Sequence, residues 1–193
     1  MSNYKILFKR NLLMMLILVF FILVVIFFIN FLYDKRAPVS SLGGSFLLTD
    51  QDGKTFDSTK VNLKKLIYFG YTYCPDICPF DLLKISKIFE NNSKLKEEIK
   101  PIFITVDPER DTIKKLKNFM ENFDESFIAL TGTNEEIKNI LKKFRVYVKL
   151  NKSSSVDKDY LVDHSSLIFL LDKNDRYIKF FRPKDLKEDI ILN

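Results

Sequence analysis

Apolar and polar positions divide this chain into two unequal parts. Residues 12–32 are apolar except for Asn30, and as a helix they reach about 32 Å at 1.5 Å per residue, enough for a bilayer core of about 30 Å. Beyond residue 43 the pattern changes to short apolar runs between turns. Phe46-Leu47-Leu48 and Phe56 flank Asp52-Gly53, which predicts a hairpin over residues 45–56 with a type I′ turn. Leu66-Ile67-Tyr68-Phe69, bounded by Gly70, predicts a strand buried on both faces. Behind Pro79, a residue suited to the first helical position, Leu82, Leu83, Ile85, Ile88 and Phe89 recur at helical spacing. Strands are predicted over residues 102–106, 127–130 and 145–150, and helices over 112–122 and 134–144. Residues 167–171 and 177–181 form a second hairpin, and 185–192 a terminal helix.

Strands alternating with helices imply parallel pairing, and the terminal hairpin adds antiparallel strands, so the fold class is α/β with a mixed sheet. In such sheets functional loops gather at the carboxyl ends of strands. The loop after residue 69 and Asp107 both lie at such ends.

The apolar segment is longer than the 7–15 residues of a cleaved signal, and no small-residue cleavage pattern follows it. It reads as a retained transmembrane anchor, with residues 1–11 as a cytoplasmic leader, 33–42 as a tether and 43–193 as one domain. Lys5, Lys9 and Arg10 precede the span without an acidic residue, while Asp34 partly balances Lys35 and Arg36. That bias places the N-terminus in the cytoplasm and the domain in the periplasm. The leader lacks the character of a mitochondrial presequence, which favours a bacterial inner membrane. The formal net charge is +6; the leader holds three of those charges and residues 34–36 one more, which leaves +2 on residues 37–193. A nearly balanced domain without a basic stripe argues against a nucleic-acid partner.

Both cysteines fall in Cys74-Pro75-Asp76-Ile77-Cys78-Pro79, and His164 is the only histidine. Each cysteine precedes a proline, which disfavours helical geometry there. Cys78 is expected near the N-cap of the following helix and is therefore predicted to be the more acidic thiol. A structural disulfide closing so short a loop stabilises by only about 2 kcal/mol. A redox dithiol and a metal-ligand pair are the alternatives. Three intervening residues allow a wider bite than Cys-x-x-Cys, and two thiolates with one imidazole suit copper, Cu(I) especially. Asp163 is a candidate for orienting the His164 ring. In Asp107-Pro108-Glu109-Arg110-Asp111-Thr112 the residues read mainly as a strand exit and helix start, with Asp111 or Thr112 as N-cap.

The chain resembles the Sco/SenC family of membrane-anchored copper proteins of cytochrome c oxidase assembly. The resemblance rests on residues 43–46 (Gly-Gly-Ser-Phe), 49–54, the run Tyr68-Phe69-Gly70-Tyr71-Thr72-Tyr73 leading into the cysteine block, Val106 to Thr112, 130–133, Val146-Tyr147 and Asp163-His164-Ser165. It implies a thioredoxin-like fold with an N-terminal hairpin, and a copper site, Cu(I) or Cu(II), made by Cys74, Cys78 and His164. It also implies delivery of copper, received from an upstream donor, to the binuclear copper centre of cytochrome c oxidase subunit II. The alternatives it leaves are reduction of that subunit's cysteines by Cys74 and Cys78, or a redox or copper sensor.

Overall fold

The structure, a computed structural model, describes residues 2–34, 42–152 and 159–187. It divides into two compact units, Met1–Val39 and Ser40–Asn193. The described residues of the first are one helix, α1 (Ser2–Asp34), which contains the expected anchor. Its described side chains from Met14 to Ile29 are exposed and apolar on every side. Among the described residues no helix is long and apolar enough to cross a membrane; the described stretch from Met14 to Asn30 measures roughly 26 Å. Most of the expected tether, residues 35–41, lies outside the described residues.

The second unit is built on a seven-stranded mixed sheet. Its strands are β1 (Leu47–Asp50), β2 (Thr55–Asp57), β3 (Lys64–Gly70), β4 (Ile99–Thr105), β5 (Ile128–Thr131), β8 (Ile168–Leu171) and β9 (Tyr177–Phe181), in the order β2-β1-β5-β4-β3-β8-β9. β3, β4 and β5 run parallel, while β1, β8 and β9 pair antiparallel to their neighbours. Strand side chains alternate between faces, so Tyr68 and Phe69 diverge. Phe69 meets Phe144 at 5.2 Å and Phe169 at 5.8 Å between ring centroids on one face, while Tyr68 and Phe103 continue to Phe119 on the other.

The helices of this unit are α2 (Ile77–Glu90), α3 (Ser93–Glu98), α4 (Ile113–Met120) and α5 (Asn134–Phe144). α5 keeps its predicted bounds because Thr133 and Glu136 form a reciprocal capping box. α2 starts two residues before Pro79, with Asp76 at its N-cap. Pro79 is thus the third helical residue, where its missing N–H belongs to the group that has no intrahelical partner anyway. Cys78 is consequently helical despite preceding a proline. α3 was not predicted from the pattern; it is short and polar, and Asn92 caps it by accepting from Leu95 N at 3.0 Å.

The first hairpin forms in the expected place with a different turn. A type I′ turn needs positive φ at both central residues, and here only Gly53 has it, at 79°. The Asp50 carboxylate does the remaining work, accepting from Asp52 N at 2.9 Å and Lys54 N at 2.8 Å. Outside the main sheet β6 (Val148–Asn151) pairs antiparallel with β7 (Leu161–His164), placing Val148 opposite His164. Residues 153–158 between these strands, and 188–192 of the expected terminal helix, lie outside the described residues. Pro183–Asp185 forms a single 3-10 turn.

Candidate metal centre

The carboxyl end of β3 delivers the chain to the cysteine loop. Val106 N donates to Gly70 O at 2.8 Å, and Cys74 N donates to Tyr71 O at 3.2 Å, which turns the loop back toward α2. Cys74 is half-buried; Cys78, in the first turn of α2, has no exposed surface. Gly70 makes this burial possible. A Cβ there would lie 2.9 Å from Phe103 Cε2, 3.0 Å from Cys78 Sγ and 3.1 Å from Tyr68 Cε1. Gly70→Ala is expected to destabilise the fold by about 1–3 kcal/mol through overpacking and to push the Cys78 sulfur from its seat. Equilibrium chemical unfolding checks it, and an unchanged midpoint would refute the tight fit.

His164 reaches the same place from the opposite side, as the last residue of β7. Its Nε2 lies 3.2 Å from Cys78 Sγ, and its Nδ1 lies 3.2 Å from the carbonyl oxygen of Ser165. A carbonyl only accepts, so Nδ1 donates its hydrogen to Ser165, and Nε2 is the ring nitrogen left facing the sulfur. Asp163 does not orient the ring: it is exposed and points from the strand face opposite Lys149. The Tyr68 and Tyr71 rings pack nearly perpendicular to the imidazole instead, at centroid separations of 6.4 and 6.0 Å. A cleft of about 290 Å³ opens above, lined by Cys74, Asp76, Ile77, Val162 and His164 among others.

The acidity of the two thiols is the reverse of the sequence expectation. A hydrogen bond from Cys78 holds Cys74 down to about 3, with His164 and the backbone N–H groups of Cys78 and Asp76 adding to it against a burial penalty. Cys78 is pushed up, first because it keeps its proton to donate to Cys74 and next because it is buried. Position near a helix start stabilises a thiolate, but complete burial and the neighbouring anion outweigh it. In the metal-free chain iodoacetamide is therefore expected to modify Cys74 well ahead of Cys78, read by peptide mass mapping. Equal labelling of the two would contradict the assigned thiolate.

Both cysteines are free thiols. Among the described residues no group of three or more His, Cys, Asp or Glu side chains is closed around one point for a metal. The donor set nevertheless fits a soft ion. Two sulfurs and one imidazole nitrogen suit copper, and the 3.2 Å between Cys78 Sγ and His164 Nε2 lies within the roughly 4.3 Å sum of one metal–sulfur and one metal–nitrogen bond.

The turn after β4 takes no direct part in this donor set. Asp107 is buried, with Oδ2 accepting from Arg110 Nε at 2.5 Å and Oδ1 accepting from Tyr160 OH at 2.8 Å. Thr112 caps α4, which frees Asp111 for another use: it accepts from Thr72 N at 3.0 Å, Thr72 Oγ1 at 2.6 Å and Thr105 Oγ1 at 2.6 Å. The Tyr71 hydroxyl accepts from Val162 N at 3.2 Å. The motif run contains Gly70 and Thr72 without giving either a role in supporting the site, and no sequence signal marked Tyr160.

The SCO1/SenC family model matches residues 34–193. The chain belongs to the SCO1/SenC family. It is 48% identical over 141 residues to SCO2-like protein RP587 of Rickettsia prowazekii, covering 72% of this chain and 69% of that protein. It is 41% identical over 140 residues to the mitochondrial protein SCO1 of Saccharomyces cerevisiae, covering 72% of this chain and 48% of that one. Bradyrhizobium japonicum ScoI, solved with copper bound, superposes with a TM-score of 0.70 at 39% identity, over 78% of this chain and 96% of that one. Yeast Sco1 with copper bound gives 0.69 at 35% identity, over 78% and 86%. A further match, BsSco, is described as carrying a disulfide switch and as a member of the Sco family of cytochrome c oxidase assembly proteins. The mixed sheet and helices of this SCO1/SenC chain form the thioredoxin-like Sco fold, and homologous Sco structures hold copper.

Proposed function

We propose that the chain is a membrane-anchored copper-binding assembly factor, with Cys74, Cys78 and His164 as ligands, that delivers copper to the binuclear copper centre of cytochrome c oxidase subunit II. The observation that carries this reading is the approach of His164 Nε2 to Cys78 Sγ at 3.2 Å. When bound there, copper would be cargo, held by soft donors. The work of this chain is to present those donors and to exclude competing hard ligands. Copper-bound relatives and the family's assembly role support the assignment. Ile77 and Leu161, 53% and 55% exposed, line the cleft and offer apolar contact to a docking copper donor or acceptor. The anchor is residues 12–32 of α1, N-terminus in the cytoplasm, and the domain lies in the periplasm; the apolar run and the flanking cations support this arrangement.

A second reading, reduction of the recipient's cysteines, is favoured by the free thiols and the depressed Cys74. In it the Cys74 thiolate attacks the recipient's disulfide, one recipient sulfur leaves, and the Cys78 thiol then resolves the mixed disulfide, leaving an oxidised Cys74–Cys78 pair and a reduced recipient. The two readings separate with His164→Ala. Incubating the copper-loaded chain with the apo, reduced copper-binding domain of oxidase subunit II should transfer copper, and His164→Ala should impair that transfer. If copper transfer fails in the unsubstituted chain while reduction of the oxidised domain proceeds equally with and without His164, the reductase reading stands instead.

A further inference from the structure

We infer that the turn Asp107 to Asp111 is a clamp that holds the cysteine limb and the histidine limb of the site at a fixed separation, with Arg110 the positioning residue for His164. This rests on the copper reading above and adds residues outside the donor set. On one side Asp111 takes both the backbone N–H and the hydroxyl of Thr72, two residues before Cys74. It has no exposed surface and is tied back to β4 through Thr105. On the other side Arg110 Nη1 donates to Tyr160 O at 2.8 Å, while Asp107 binds Arg110 Nε and the Tyr160 hydroxyl. The guanidinium also lies 3.6 Å from the Tyr160 ring centroid and 4.8 Å from that of Tyr73, so one planar cation bridges the two limbs.

The clamp matters because of how the hairpin is attached. β6 and β7 form a two-stranded sheet of their own, and an isolated hairpin is marginally stable in water. Tyr160 stands just before β7 and His164 ends it, so what fixes Tyr160 fixes the strand that carries His164. Tyr71 adds a second tie by accepting from Val162 N. A fork-shaped guanidinium serves here where an ammonium would not, since it reaches a carboxylate, a carbonyl and ring faces at once.

The test uses the full chain in detergent, with copper as the probe, in a double-mutant cycle. Arg110→Lys should lower copper affinity by about 10- to 100-fold, the usual cost of losing a support of a ligand, and Tyr160→Phe should lower it severalfold. In a His164→Ala background the same substitutions should change affinity by less than about threefold, because they act through His164. Amide exchange of the metal-free chain should accelerate about tenfold at Val162 and His164 but not in β3 or β4. A full-sized loss in the His164→Ala background, or unchanged affinity in both single variants, overturns the clamp. Should Arg110→Lys fail to fold, Tyr160→Phe decides, since it removes one hydroxyl. If the unsubstituted chain binds no copper, the copper reading fails, and the clamp then stands or falls on the exchange of Val162 and His164 alone.

Discussion

Lys65→Met should lower the unfolding free energy by about 3–5 kcal/mol, the cost of breaking a buried ion pair from one side. Lys65 lies in β3 with no exposed side-chain surface, 2.8 Å from Asp175, itself only 2% exposed. The ammonium also donates to Lys173 O at 3.0 Å, and Ser58 Oγ donates to the second oxygen of Asp175 at 2.8 Å while accepting from Phe46 N at 2.9 Å. One charge pair thus joins the first hairpin, the centre of the sheet and the β8–β9 turn. Methionine fills the space of the lysine stem but leaves an uncompensated carboxylate in the interior. Converting the partner as well, in Lys65→Met with Asp175→Asn, should recover part of the loss, since asparagine tolerates the positive φ of 61° at that position. The exposed pair Lys94–Glu98, at 73% and 41% exposure, is the contrast; breaking it should cost no more than about 1 kcal/mol. Urea unfolding followed by the near-UV tyrosine signal suits a chain without tryptophan. A loss below about 1 kcal/mol for Lys65→Met would remove this pair from the account of stability.

That pair also shows where sequence reading runs out. Lys65 sits at the start of an apolar run, where a charged residue reads as a strand's solvated edge; its burial depends on Asp175, 110 positions away in a turn. Periodicity reports which face of an element is apolar, and it located β3, α5 and the second hairpin because their own residues carry that signal. It missed β7, whose sequence Leu161-Val162-Asp163-His164 is short and has one buried position. The donor residues were legible because two cysteines and one histidine are rare letters with narrow chemistry. The residues that hold them were not. Thr72 and Tyr160 are ordinary residue types, and only the meeting of the loops after β3 and β4 gives them a role. The relative acidity of the thiols failed for the same reason: the helix-start argument is local, whereas the burial of Cys78 follows from Gly70 and Phe103 across the sheet.

Cys78→Ala should weaken copper binding more than any other single change at the site, by more than about a hundredfold, the upper cost of losing merely a supporting residue. Its sulfur is the donor that touches His164 Nε2, and its proton is what holds Cys74 as a thiolate. Removing it therefore takes one ligand and disturbs the other two. Cys78→Ser should fall nearly as far for Cu(I), because a hydroxyl keeps the size but not the softness of the donor. His164→Ala should cost less for Cu(I), which two thiolates hold, than for Cu(II), which favours nitrogen ligation. The protons give a further handle. Cys74, at about 3, is already ionised near neutrality and contributes no pH dependence there. Cys78, whose acidity burial and the Cys74 anion weaken, must release its proton when a metal takes its sulfur. Lower pH refills that proton and opposes binding, so apparent affinity should rise about tenfold per unit between roughly pH 7 and 9. Competition against a chelator across that range measures both effects. A flat pH profile, or an affinity for Cys78→Ala within about tenfold of the unsubstituted chain, would mean that copper is held elsewhere than on this pair of sulfurs.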